Sequence, residues 1–112
     1  RLEDVFELMN KKPQAKKCEA MAGITKEGDD IVSDTEKGSI TRDVGIILAA
    51  QKVEHYEIST YGGLTTLAKT LNLSKVADIL YKTLEEEKQT DEKLTQIAEN
   101  NINVEEAQEE VE

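Results

Sequence analysis

Apolar residues recur every three or four positions through two long stretches of the chain, residues 41–71 and 74–102, which is typical of amphipathic helices. No window shows the alternation of apolar and polar residues that a half-buried strand requires. We therefore expect an all-α fold. The first stretch predicts a helix of about 45 Å. A tight turn near residues 72–73 would join it to the second as an antiparallel hairpin.

Polar residues predict where these helices begin and end. Thr41 is expected to cap the first long helix, since its hydroxyl can accept a hydrogen bond from a free amide of the first turn. Asn72 suits the exit from that helix, and Ser74 is expected to cap the next one. The stretch 33–39, rich in turn formers, predicts a loop.

The first third of the chain has weaker helical signals. Its opening apolar residues have helical spacing without an N-cap before them, so they are interpreted as the end of a longer helix. A lysine-rich connection around Pro13 leads to a second helix, in which Gly23 and Gly28 each cost about 1 kcal/mol of helix propensity. The opening residues are Leu2, Val5, Phe6 and Met9, and the face of the second helix is Cys18, Met21, Ala22, Thr25, Ile31 and Val32.

Charge and composition exclude several classes of protein. With 112 residues the chain is expected to form one domain, residues 1–103, followed by an acidic disordered tail, residues 104–112. Its formal net charge of −10 argues against nucleic acid and anionic membranes as partners. Its longest apolar run, residues 44–50, is far shorter than the roughly 20 residues of a membrane span. The single cysteine, Cys18, fits a reducing cytoplasm and is expected to be a buried structural thiol.

Four acidic residues interrupt the apolar stripes of the two long helices. Glu54 and Glu57 lie in the stripe of the first helix, and Glu87 and Asp91 lie in the stripe of the second. In the predicted hairpin, residues at one level have numbers that add to about 145. Glu54 would therefore face Asp91, and Glu57 would face Glu87. All four carboxylates are expected at one level, about 23 Å from the turn.

Four charges in a helix interface need compensation, because each unpaired buried charge costs several kcal/mol. No Lys or Arg occupies the two stripes. Protonation would require raised pKa values at every site. Two divalent cations would neutralise four carboxylates directly, and hard oxygen ligands favour iron or manganese. The alternative is a plain solvated face whose acids extend into water.

Two neighbouring residues enter this hypothesis. Tyr61 follows Glu57 by one helical turn, so its hydroxyl could support a ligand carboxylate from outside the metal's own contacts, although a core tyrosine fits equally well. His55 points about 160° away from Glu57 around the helix and is expected to contact another helix or subunit rather than a metal.

Specific runs of sequence resemble the YciF/YciE family of bacterial ferritin-like proteins. They are AAQKVEHYEI from Ala49 to Ile58, TLEEEKQTD from Thr83 to Asp91, and KCEAM from Lys17 to Met21. The resemblance implies a ferritin-like helical bundle, usually dimeric, in a stress-associated protein with a di-metal site and no settled activity. It also implies that two longer helices of the family, which carry half of the ligands, are absent or shortened here. Glu87 is followed by Asp91, where ferritins have an E-x-x-H motif.

The leading hypothesis is therefore a cytoplasmic, dimeric, ferritin-like stress protein. Its residues Glu54, Glu57, Glu87 and Asp91 would bind iron or manganese, with Tyr61 in support. Any chemistry would be metal redox with oxygen or peroxide, and the sequence leaves open whether the protein is an enzyme. The alternative is a metal-free structural or protein-interaction module. A third hypothesis is an acidic chaperone or decoy that uses the Glu-rich tail.

Overall fold

The computed structural model describes residues 1–102. The chain forms helices α1 (Leu2–Leu8), α2 (Glu19–Asp34), α3 (Ile40–Thr70) and α4 (Ser74–Ile97), and a π-helical segment, Ala98–Ile102, continues α4. No strand occurs among these residues, which confirms the all-α prediction. The predicted acidic tail lies outside the described part of the chain.

Helices α3 and α4 form the predicted antiparallel hairpin. Asn72 takes the left-handed conformation, with φ of 60°, and reverses the chain between them. Far from this turn, the Gln51 amide donates a hydrogen bond of 2.7 Å to the Thr95 hydroxyl. Since 51 and 95 pair as the predicted numbering rule requires, the two helices run in register over their length. Their interface buries small and branched apolar side chains: Ile47, Ala68, Val76, Ala77, Leu80 and Leu84.

The short helix α1 packs against α4. Val5 is buried and joins the apolar cluster at the turn end of the hairpin. The guanidinium of Arg1 donates two hydrogen bonds to the Glu86 carboxylate, of 2.6 and 2.8 Å, and one of 3.1 Å to Thr83. An apolar contact and a bidentate ion pair therefore fix α1 on the hairpin.

Helix α2 lies along the first half of α3 without burying any residue fully. Close approach is possible because Gly45 has no side chain where Ile31 packs: a Cβ atom at Gly45 would lie 2.5 Å from Ile31 Cγ2. Arg42 of α3 donates to the carbonyl oxygens of Val32 and Thr35 at the end of α2. These hydrogen bonds satisfy carbonyls that the end of a helix leaves free.

Two predicted caps were wrong. The side chain of Ser39, not of Thr41, accepts the hydrogen bond from the Arg42 amide, so α3 begins at Ile40. Ser74 is the first residue of α4, and Leu73 holds the cap position without a side-chain hydrogen bond. The predicted loop was also too long at its start. Helix α2 runs to Asp34, and the Ser33 hydroxyl donates within it to the Asp29 carbonyl.

A large part of the apolar surface stays exposed. Leu64 and Leu67 of α3 and Leu71 just after it are 42%, 53% and 58% exposed. Together with residues of α1 they border an apolar groove of about 220 Å³. None of the described helices combines the length and hydropathy needed to span a membrane.

Candidate metal centre

Three carboxylates from the two long helices meet between α3 and α4. Glu54 and Glu57 are three residues apart on α3, so they lie on one face of it, and Glu87 reaches them from α4. One oxygen of each carboxylate lies within 4.8 Å of the other two. All three side chains are half-buried. The structure thus brings together three of the four acids that the sequence singled out.

Crowding of negative charge changes the acidity of this cluster. The pKa of Glu87 is raised to about 7, first because its carboxyl group hydrogen-bonds with Glu54, then because burial disfavours its charged form. The pKa of Glu57 is also raised, chiefly by burial and then by the charge of Glu87. Close to neutral pH, the three carboxyl groups therefore hold a proton between them for part of the time.

The donor set fits a hard divalent cation. Glu54 Oε2 is buried and has no hydrogen-bond partner within residues 1–102. Among the described residues, no Lys, Arg or His lies within ion-pair distance of Glu54, Glu57 or Glu87. An orphaned buried oxygen beside two further carboxylates is an arrangement that a cation would stabilise.

Asp91, the fourth predicted ligand, lies outside this group of three. Its Oδ1 atom is 2.9 Å from Nε2 of His55, across the α3–α4 interface. Although this distance qualifies as an ion pair, Oδ1 is buried and accepts no hydrogen bond, so the imidazole N–H is not aligned with it. Sequence reasoning assigned His55 a helix contact without naming its partner. The numbering rule places 55 and 91 at one level, which permits this contact but does not predict it.

Tyr61 lies beside the carboxylates and against the buried apolar cluster. Its pKa is raised by burial first and then by the charges of Glu57 and Glu87. The phenol therefore lies close enough to both carboxylates for their charges to disfavour its ionised form. It keeps its proton in the absence of a cation.

Cys18 is exposed, which contradicts its expected burial. Its sulfur accepts a hydrogen bond from the Met21 amide and so caps α2, a position that faces solvent. The same atom lies 3.2 Å from the Tyr56 hydroxyl. The pKa of the thiol is lowered, first by the hydrogen bond with Tyr56 and then by the one from the Met21 amide.

Comparison with known proteins places the chain in a family. The family model described as "Domain of unknown function (DUF892)" matches residues 1–107. The protein YciF of Escherichia coli K12 is 50% identical over 104 residues, which make up 92% of this chain and 62% of YciF. The present chain therefore spans less than two thirds of the length of this relative.

Solved structures agree with this relationship. The crystal structure of the E. coli stress protein YciF matches with a TM-score of 0.84, over 91% of this chain and 64% of that one. The structure of YcfI from Rhodopseudomonas palustris, 35% identical, matches with a TM-score of 0.78 over 84% of this chain and 59% of the other. The predicted family resemblance is thus confirmed, and the chain belongs to the DUF892 family as a YciF-like protein.

Proposed function

We propose that this chain is a bacterial stress-response protein of the ferritin-like type that binds iron or manganese through its helix-interface carboxylates. The proposal rests on one observation: Glu54, Glu57 and Glu87 converge within 4.8 Å, half-buried, without a basic partner among the described residues. Its setting is the cytoplasm, and its working form is a dimer that covers the exposed apolar groove. The relative YciF is described as a stress protein, which supports the physiological part of the proposal.

Each residue of the site has its own role in the proposed metal binding. Glu54, Glu57 and Glu87 hold the metal pair, and Asp91 on the next turn of α4 is the fourth carboxylate of the proposed site. Tyr61 keeps its phenol proton beside Glu57, and its O–H can donate a hydrogen bond to a ligand carboxylate. A bound iron or manganese pair would supply redox chemistry with oxygen or peroxide. The two helices fix the spacing of the carboxylates.

Elemental analysis of the purified chain tests the proposal. We expect near-stoichiometric iron or manganese in the wild type and its loss in the double variant Glu57→Ala, Glu87→Ala. The double variant Asp78→Ala, Glu92→Ala removes the same charge from exposed positions of α4 and should keep the metal. The proposal fails if the wild type is metal-free, refuses added Fe²⁺ and Mn²⁺, and is stabilised by the Glu57 and Glu87 substitutions.

A metal-free structural module is the second candidate function. It is favoured by one comparison, because YcfI is described as a proposed structural protein. In that case the three carboxylates would only share protons, and their removal would stabilise the fold without loss of function. The same elemental analysis separates the two candidates.

A further inference from the structure

His55 is the basic side chain that contacts a predicted ligand. Among the described residues it alone lies within ion-pair distance of one of the four acids, with Nε2 at 2.9 Å from Asp91 Oδ1. The imidazole is at the rim of the interface and 67% exposed, whereas the Asp91 side chain is 24% exposed. The contact therefore joins a solvent-facing group to a carboxylate that faces inward.

The position of Asp91 on α4 does not by itself explain why it lies outside the cluster. Asp91 follows Glu87 by four residues, so both side chains leave the same face of the helix, one turn apart. Glu87 reaches the cluster, but Asp91 is directed to His55. Resting on the proposed metal-binding function, we propose that His55 is a positioning residue that holds Asp91 outside the three-carboxylate cluster. Asp91 then reaches a cation only by leaving His55.

The contact between His55 and Asp91 is weak enough for a bound cation to displace it. Asp91 Oδ1 accepts no hydrogen bond despite the short distance, and exposed pairs of this kind contribute little. A divalent cation attracts a carboxylate more strongly than a single misaligned imidazole does. His55 therefore competes with the cation for Asp91 and lowers the affinity of the site.

Calorimetric titration of the full chain with Mn²⁺, at one fixed pH, measures this competition. We expect His55→Ala to bind Mn²⁺ about two- to fivefold more tightly than the wild type, the change that loss of a weak ion pair permits. In an Asp91→Asn background, which removes the contested carboxylate charge, His55→Ala should have no effect.

Each outcome has a distinct meaning. Tighter binding in His55→Ala that disappears in the Asp91→Asn background supports the positioning role. Unchanged or weaker binding in His55→Ala, while the wild type binds Mn²⁺, overturns that role and leaves the metal site standing. A wild-type chain that takes up no Mn²⁺ contradicts the proposed function, and the role of His55 falls with it. Circular dichroism of each variant checks that the helices are intact.

Discussion

Glu87 meets an environment that the other acids of α4 do not share. Its carboxyl group faces Glu54 and Glu57 inside the helix interface, whereas Glu92 projects into solvent. The resulting pKa of about 7 means that the folded chain binds a proton at Glu87 more tightly than the unfolded chain, where a glutamate titrates near 4.5. Protonation of Glu87 thus stabilises the metal-free fold.

This difference predicts how the stability of the metal-free chain depends on pH. Protonated Glu87 makes its full contribution to the free energy of unfolding below pH 4.5, and this contribution is lost as the pH rises through about 7. Urea unfolding in EDTA should therefore show a lower midpoint at pH 8.5 than at pH 5.5. The loss is about 1 kcal/mol, since solvent contact screens part of the effect. Glu87→Gln should flatten the profile, and Glu92→Gln should retain the wild-type slope. Equal slopes in both variants would contradict the assignment.

Periodicity identified the acids at the helix interface, but not all of their contacts. Glu54, Glu57 and Glu87 could be grouped from the sequence because helix geometry and the hairpin register fix where the backbone places them. The direction of Asp91 toward His55 could not be predicted, since it depends on side-chain rotamers and on a contact across two helices. Cys18 is exposed because it caps a helix. Sequence patterns assign the N-cap position to Ser, Thr, Asp or Asn, so this role of a cysteine was not predicted.

At the scale of the elements, the two long helices were predicted almost to the residue, while their caps were not. Hydrophobic spacing over about 30 residues is a strong signal. A cap depends on one hydroxyl, and Ser39 and Thr41 offer the same chemistry two residues apart. The docking of α2 on α3 left a weaker signal in the sequence, because it rests on the missing side chain of Gly45 and on hydrogen bonds from Arg42.

Two glycines of α3 should respond oppositely to substitution by alanine. Gly45→Ala places a Cβ 2.5 Å from Ile31 Cγ2 and should lower the free energy of unfolding by about 1 kcal/mol, even after the gain in helix propensity. Gly63 has no neighbour within 4 Å of such a Cβ, so Gly63→Ala should raise it by about 0.5–1 kcal/mol.

Chemical denaturation followed by circular dichroism gives both values. Combining Gly45→Ala with Ile31→Ala removes the clashing methyl group, so the second substitution should cost less in the Gly45→Ala background than in the wild type. Additive costs of the two substitutions would show that α2 does not pack at Gly45 as described.

At the scale of the whole molecule, one face of the hairpin is not covered by any other part of the chain that the structure describes. The leucines of α3 that border the apolar groove are each about half exposed, and α1 adds Leu2 and Phe6 to the same groove. An exposed apolar surface can be a site of protein association. Two hairpins that pair through this face would form a four-helix bundle with a shared apolar core. We propose this face as the surface for the self-association predicted from the sequence.

Substitution at the centre of this face tests the dimer. Light scattering should give a mass near twice the 12.5 kDa of the chain at high concentration. Leu67 is 53% exposed in the single chain, so Leu67→Glu should leave the hairpin folded while it places a charge in the dimer interface, where burial of that charge costs several kcal/mol. The variant should run as a monomer. Thr66→Glu adds the same charge to an exposed position one residue away and should remain dimeric. A Leu67→Glu variant that still dimerises would move the interface to another face, and the apolar groove would then need a different occupant.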